Sequence, residues 1–307
     1  MLAIIIIALF ITLLLLWSIY LPFYKEKTVV LESDESKCFS PRCKSVVYKN
    51  DNKKAVLFIH GFPSTPYMYD YATKYMRDKG YDVYAPLIPT FGADIKEFER
   101  TNFSSWFLFI DNYYKKLRTQ YDTLDVIGVS MGGAMTLKLA EVHSEDGLKP
   151  NAIAVVAAPV TLNSFFRDGI VTNKGVYFVR IIRPFWASYK AYIGTELKDH
   201  NDGDETWTGY HGFFSTPTLS LSWNLKIIRR ELGRINVPMI SFHDEGDRTV
   251  PFKNQGIIGR ETHTKSIFIQ QKMDDKYIHT HHALLSYHSC QEELMDKIYT
   301  FLEENNG

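Results

Sequence analysis

Six short apolar runs, set apart by stretches of helical period, constrain this chain more than any other feature of it. They are AVLFIHGF (55–62), YDVYAPLIP (81–89), LDVIGVS (124–130), AIAVVAAPV (152–160), VPMISFHDE (237–245) and SIFIQQK (266–272). Most are apolar throughout rather than alternating, which a strand requires when both of its faces are covered. Strands that alternate with helices predict an α/β fold, a mostly parallel central sheet with helices on both faces. Between the first two runs a helix starts at Ser64-Thr65-Pro66 and ends at Gly80, with Met68, Tyr71, Ala72, Tyr75 and Met76 recurring at three and four residues on its inner face. A second helix is expected from Trp106 to Tyr121, and a last one over about 283–304 with Met295, Ile298, Phe301 and Leu302 inward.

The first segment obeys a different rule. Residues 2–24 carry no charge, and about 20 apolar residues cross a bilayer core. A cleaved signal peptide would show a shorter apolar region, basic residues before it and small residues at a cleavage site after it; the segment has none of these, so a single transmembrane anchor is expected. Trp17, Tyr20 and Tyr24 fall where the interface would lie, with Lys25 and Lys27 beyond. Basic residues follow the helix and none precedes it, which places the body in the cytoplasm. Cys38 and Cys43, able to close a small disulfide loop in an oxidising compartment, argue for the other side. The domains expected are an anchor (1–24), a linker (25–44) and one globular domain (45–307). Lys plus Arg equals Asp plus Glu at 35 each, so no charge excess points to nucleic acid.

The strongest chemical signal is Gly128-Val129-Ser130-Met131-Gly132-Gly133, directly after one expected strand and before a helix. Glycines two before and two after a serine let such a strand-to-helix turn close, with the hydroxyl exposed at its apex. A serine needs a histidine to take its proton and a carboxylate to orient that histidine. Asp247 stands in the turn after the fifth run, with Asp244 and Glu245 as neighbours that read as loop residues. Beyond the last run comes Tyr277-Ile278-His279-Thr280-His281-His282-Ala283-Leu284. We take His282 as the base and His281 as the runner-up, in the chain order Ser, Asp, His. The loop His60-Gly61-Phe62-Pro63 supplies the second oxyanion donor, making Phe62 N–H and Met131 N–H the expected pair. The histidine cluster has no cysteine and carboxylate constellation around it, so no metal is expected. Residues 161–222 break the strand and helix rhythm and read as an inserted cap whose aromatics either line an acyl pocket or simply pack.

With these marks in place, the chain resembles the α/β-hydrolase superfamily over residues 55–305, and within it the carboxylesterases and monoacylglycerol lipases with a small cap. The marks are His60-Gly61-Phe62, Gly128-Val129-Ser130-Met131-Gly132-Gly133, Asp247 with Val250-Pro251, and His282 followed by Ala283-Leu284. The resemblance implies a cofactor-free acyl transfer on an acyl or lipid ester: Ser130 attacks the carbonyl, His282 moves the proton, Asp247 orients it and water releases the acid. It departs from the pattern at Ile88-Pro89-Thr90-Phe91-Gly92, where many relatives carry Leu-Pro-Gly-His-Gly, and at His243-Asp244, where His-Gly is frequent. The superfamily also contains thioesterases and catalytically dead binding proteins, so a membrane-tethered thioesterase and a non-catalytic binding protein are the alternatives.

Overall fold

Side chains alternate across a strand, so a sheet covered on both faces sorts each strand's residues into two separate cores. That sorting is visible here: Leu57, Leu124, Val126, Ile153 and Val155 join one buried cluster, while Val56, Phe58, Ile127, Val129, Ala154 and Val156 join another. The computed structural model describes residues 1–20, 23–162, 175–274 and 276–306. Its elements in chain order are α1 (Leu2–Tyr20), β1 (Val46–Tyr48), β2 (Lys54–Ile59), α2 (Asp70–Asp78), β3 (Asp82–Ala85), α3 (Ile95–Phe98), α4 (Phe103–Arg118), β4 (Thr123–Val129), α5 (Met131–Val142) and β5 (Ile153–Val156). There follow α6 (Gly175–Ile182), β6 (Ser188–Gly194), β7 (Gly209–Phe214), α7 (Ser215–Glu231), β8 (Met239–Asp244), α8 (Lys253–Glu261), β9 (Ser266–Gln271) and α9 (Gln291–Asn306).

The larger sheet runs β1-β3-β2-β4-β5-β8-β9. The pairs from β3 to β9 are parallel, and β1 pairs with β3 antiparallel. All six expected strands lie in this sheet. The turns carrying Phe62, Ser130, Asp247 and His282 leave the carboxyl ends of β2, β4, β8 and β9, the edge where open α/β sheets gather their chemistry.

Four local expectations differ from what is observed. β1 is an added edge strand, too short to show a pattern. β9 is not covered on both faces, since Ile267 and Phe268 are exposed on the sheet's other edge. The helix after Ser64 opens as a 3-10 turn (Pro66–Tyr69) before α2, and the last helix begins at Gln291, because residues 284–286 form a separate 3-10 turn.

Within 161–222 the structure has α6, the antiparallel pair β6–β7 and the first turns of α7; residues 163–174 lie outside the described residues. Leu221, Leu225 and Ile228 of α7 share a buried cluster with Met135 and Leu139 of α5. Cys38 and Cys43 are separate free thiols, and burial raises both, Cys43 to about 12. α1 is long and apolar enough to cross a membrane by length and composition, a test that a signal sequence also passes.

Candidate active site

Ser130 stands between β4 and α5 at φ 58° and ψ −124°, a conformation that L-residues rarely hold. Two contacts explain how the turn persists. Its N–H donates to Val156 O at 2.8 Å, and its carbonyl accepts from Ala134 N at 3.0 Å, opening α5. The flanking glycines are required by close approach: a Cβ at Gly132 would lie 1.7 Å from Ile59 O, and one at Gly128 would lie 2.3 Å from Gly132 O. Tyr69 adds a clamp, its hydroxyl donating to Ile59 O (2.6 Å) and accepting from Val129 N (2.9 Å), so the ends of β2 and β4 are tied through one phenol.

The loop after β2 passes directly over the serine. A Cβ at Gly61 would sit 3.2 Å from Ser130 Cβ and 3.8 Å from its Oγ. His60 is buried and braces this loop: Nε2 accepts from Ile88 N (3.1 Å), so the proton is on Nδ1, which donates to Gly61 O (3.1 Å). Burial lowers its pKa to about 4, leaving it neutral. The Phe62 ring packs against Phe91, Phe98, Trp106 and Phe214. In the departing turn, Thr90 holds a positive φ of 74°, and its carbonyl accepts the Tyr210 hydroxyl at 2.9 Å. Phe91 fills the space beside His60.

Asp247 is fully enclosed and every lone-pair direction is used. Oδ1 accepts from Thr249 N (2.7 Å) and Val250 N (2.8 Å); Oδ2 accepts from His282 Nδ1 (2.7 Å) and His243 Nε2 (3.1 Å). Burial alone would raise its pKa, but the charges and hydrogen bonds of His282 and His243 outweigh it and hold the carboxyl well below the usual range. An ionised carboxylate only accepts, so His282 carries its proton on Nδ1 and presents Nε2 as the basic atom. Among the described residues no hydrogen bond joins the Ser130 hydroxyl to the His282 ring; such bonds are often long before substrate binds.

The neighbouring candidates have other partners. Asp244 closes β8 rather than standing in a loop, and its buried carboxylate accepts from Gly246 N (2.7 Å), Met273 N (2.6 Å) and His281 Nδ1 (3.0 Å). His281, at φ 59°, is thereby paired with a different carboxylate from the one His282 meets. His279 Nδ1 accepts from His281 N, and its ring stacks on Tyr287.

Two contributors escaped the sequence reading. His243 Nε2 faces both Asp247 Oδ2 and Val250 O (3.0 Å), two acceptors, so it must be the protonated nitrogen. The Tyr287 hydroxyl accepts from His282 N and Ala283 N (3.2 Å each), holding the backbone of the candidate base. Tyr287, five residues after His282, carries no local signal of its role; for His243 the strand-end position is the only hint.

A family model described as "Alpha/beta hydrolase family" matches residues 56–273. The chain is 28% identical over 215 residues to a thermostable monoacylglycerol lipase of Bacillus sp. (strain H-257), covering 69% of this chain and 77% of the relative. It is 24% identical over 147 residues to a carboxylesterase of Bacillus subtilis (strain 168), covering 48% and 56%. Among solved structures, one described under LipS and LipT, two metagenome-derived lipolytic enzymes, superposes with a TM-score of 0.70 at 17% identity, covering 90% of this chain and all of the other.

Proposed function

The chain belongs to the alpha/beta hydrolase family and is a lipase-like hydrolase; on that premise we propose that it cleaves carboxylic esters of acyl chains through Ser130, His282 and Asp247. The observation that supports this most is the 2.7 Å contact of His282 Nδ1 with a buried, ionised Asp247, formed by two loops on the sheet edge that also carries the strained Ser130 turn.

The steps follow from the protonation states. Ser130 Oγ attacks the ester carbonyl carbon while His282 Nε2 takes its proton. The carbonyl oxygen becomes an oxyanion facing the N–H groups of Phe62 and Met131, each such donor being worth about 3 kcal/mol in the barrier. Collapse expels the alcohol oxygen, which leaves with the proton from His282. Water then adds to the acyl-serine, giving its proton to His282, and a second collapse returns the proton to Ser130 Oγ and frees the acid. Asp247 stabilises the imidazolium and fixes the tautomer without itself being protonated.

We place the catalytic domain on a membrane through α1, with the region 161–222 as a cap over the acyl site. Phe214 and Tyr210 of β7 pack with Phe62 and Phe98 in one aromatic group, which ties this region to the loop after β2. Ser130→Ala is expected to abolish hydrolysis of a panel of monoacylglycerols and nitrophenyl esters, and to abolish labelling by a fluorophosphonate, with an unchanged melting curve. Turnover near the wild-type rate would reject the reading.

A further inference from the structure

The end of α1 does not stand free of the globular domain. Ser18 is buried, its hydroxyl donating to Tyr177 O of α6 at 2.7 Å, and the Arg180 guanidinium lies 3.7 Å from the centre of the Trp17 ring. Lys226 of α7 donates to the Tyr20 carbonyl. Between these elements is a cavity of about 920 Å³ lined by Trp17, Tyr24, Lys25, Arg180, Arg183 and Trp223 among others.

Its charged side chains are mostly cationic. Arg180, Arg183 and Lys25 line it and Lys226 stands beside Arg180, yet among the described residues none of the four has a carboxylate at ion-pair distance. Glu26, next in the chain, binds Asn224 (2.9 Å) and Ser104 through one carboxylate oxygen and also lies within electrostatic and hydrogen-bonding reach of Tyr24 in the lining. Burial first, and then the nearby Arg230 and Arg180 charges, lower Lys226 to about 8. The remaining walls are aromatic and apolar. Beyond α6 the surface continues with exposed Phe185 (73%), Trp186 (59%) and Tyr189 (61%), a patch of the kind found at membrane interfaces.

The depth of the cavity follows from α1. Nineteen residues at about 1.5 Å each span roughly 28 Å, close to the ~30 Å of a bilayer's hydrocarbon core. Trp17 and Tyr20 in the last turn therefore lie at headgroup level, and so do the cations that pack on them. We infer that this cavity binds the phosphate of an anionic phospholipid in the leaflet facing the catalytic domain, seating α6 and α7 on the membrane surface. The inference rests on reading α1 as a membrane anchor. A phospholipid suits both halves of the lining, its phosphate meeting the guanidinium groups and its glycerol and upper acyl carbons meeting the indole and phenol rings.

The test uses the full chain in nanodiscs of phosphatidylcholine doped with a photoactivatable phosphatidylglycerol or, in parallel, a photoactivatable phosphatidylcholine. Peptides spanning residues 17–25, 180–184 or 223 should be labelled at least about fivefold more by the anionic probe, and Arg183→Gln or Lys226→Gln should each lower that preference by about fivefold. Hydrolysis of a soluble short-chain ester should be unchanged in both variants. Equal labelling by the two probes in the wild type overturns the inference whatever the variants do, as does loss of the preference when millimolar inorganic phosphate is added, which would make the cavity a small-anion site. An alkaline carbonate wash separates the two readings: release of the full chain removes the anchor, whereas a retained chain without anionic preference removes only the lipid site.

Discussion

At the scale of single residues, the site is a problem of pairing two adjacent histidines with two carboxylates three positions apart. His282 takes Asp247 and His281 takes Asp244. The pairing assigns different consequences to similar substitutions. His282→Ala is expected to lower kcat by about 10⁴ or more, because the serine loses its base. His281→Ala leaves that base in place but strips one donor from buried Asp244, so it should cost about 1–3 kcal/mol of stability and keep most of the turnover. Kinetics and thermal melting on the same preparations check both; loss of turnover in His281→Ala with survival in His282→Ala would transfer the role. The Ser130 turn was legible in the sequence because everything that makes it is local: a strand, two glycines and a helix within ten residues. Choosing between Asp244 and Asp247 was less so. That choice depends on where β8 ends, and the run through His243-Asp244-Glu245 carries no pattern that marks Asp244 as its last strand residue.

At the scale of elements, the parallel sheet was readable because its central strands are buried on both faces and so are continuously apolar. The β6–β7 pair was not. β6 is largely exposed while β7 buries its two ends, the register shifts between Tyr189 and Tyr192, and Gly212 sits at φ 111°, so neither a period of two nor an apolar run marks the pair. The loop before α9 differs from its reading for a related reason: Ala283-Leu284-Leu285 looks like the start of a helix, yet Leu284–Ser286 form a separate 3-10 turn whose N-cap, Ala283, donates to the Tyr287 hydroxyl. This turn sets the direction of His282. Removing the phenol oxygen by Tyr287→Phe keeps the ring stacked on His279 while releasing the His282 and Ala283 amides. The expected result is a fall of about tenfold in kcat with KM little changed. Measuring the pH–rate profile alongside distinguishes positioning from simple loosening; a KM effect without a kcat effect would mean that Tyr287 shapes the substrate pocket instead.

At the scale of the whole molecule, the two ends of the sheet carry buried carboxyl groups of opposite kind. The carboxyl end holds Asp247, kept ionised by its histidines. Near the amino end of β4 lies Asp125, fully buried, which accepts from Ala152 N (3.0 Å) and from Asn306 Nδ2 of α9 (2.7 Å). Lys54 and Glu303 pair close by (2.9 Å), so this group fastens the last helix to the sheet. Burial raises the Asp125 carboxyl from 3.8 to about 7, more than its hydrogen bonds lower it. The sign follows from proton counts. Between about pH 4 and 7 the folded chain holds a proton on Asp125 that the unfolded chain has lost, so this group makes stability fall as pH rises, by about 1.4 kcal/mol per pH unit in that window. Asp125→Asn removes the titration while keeping an acceptor for Ala152 N. The variant should therefore gain on the wild type as pH is raised from 4 to 7 and hold that gain at pH 8, with ester hydrolysis unchanged because the substitution lies at the opposite end of β4 from Ser130. Chemical unfolding of both proteins across that range is the measurement; parallel stability profiles would show that Asp125 is ionised in the folded chain and that the clamp on α9 is an ordinary ionic one.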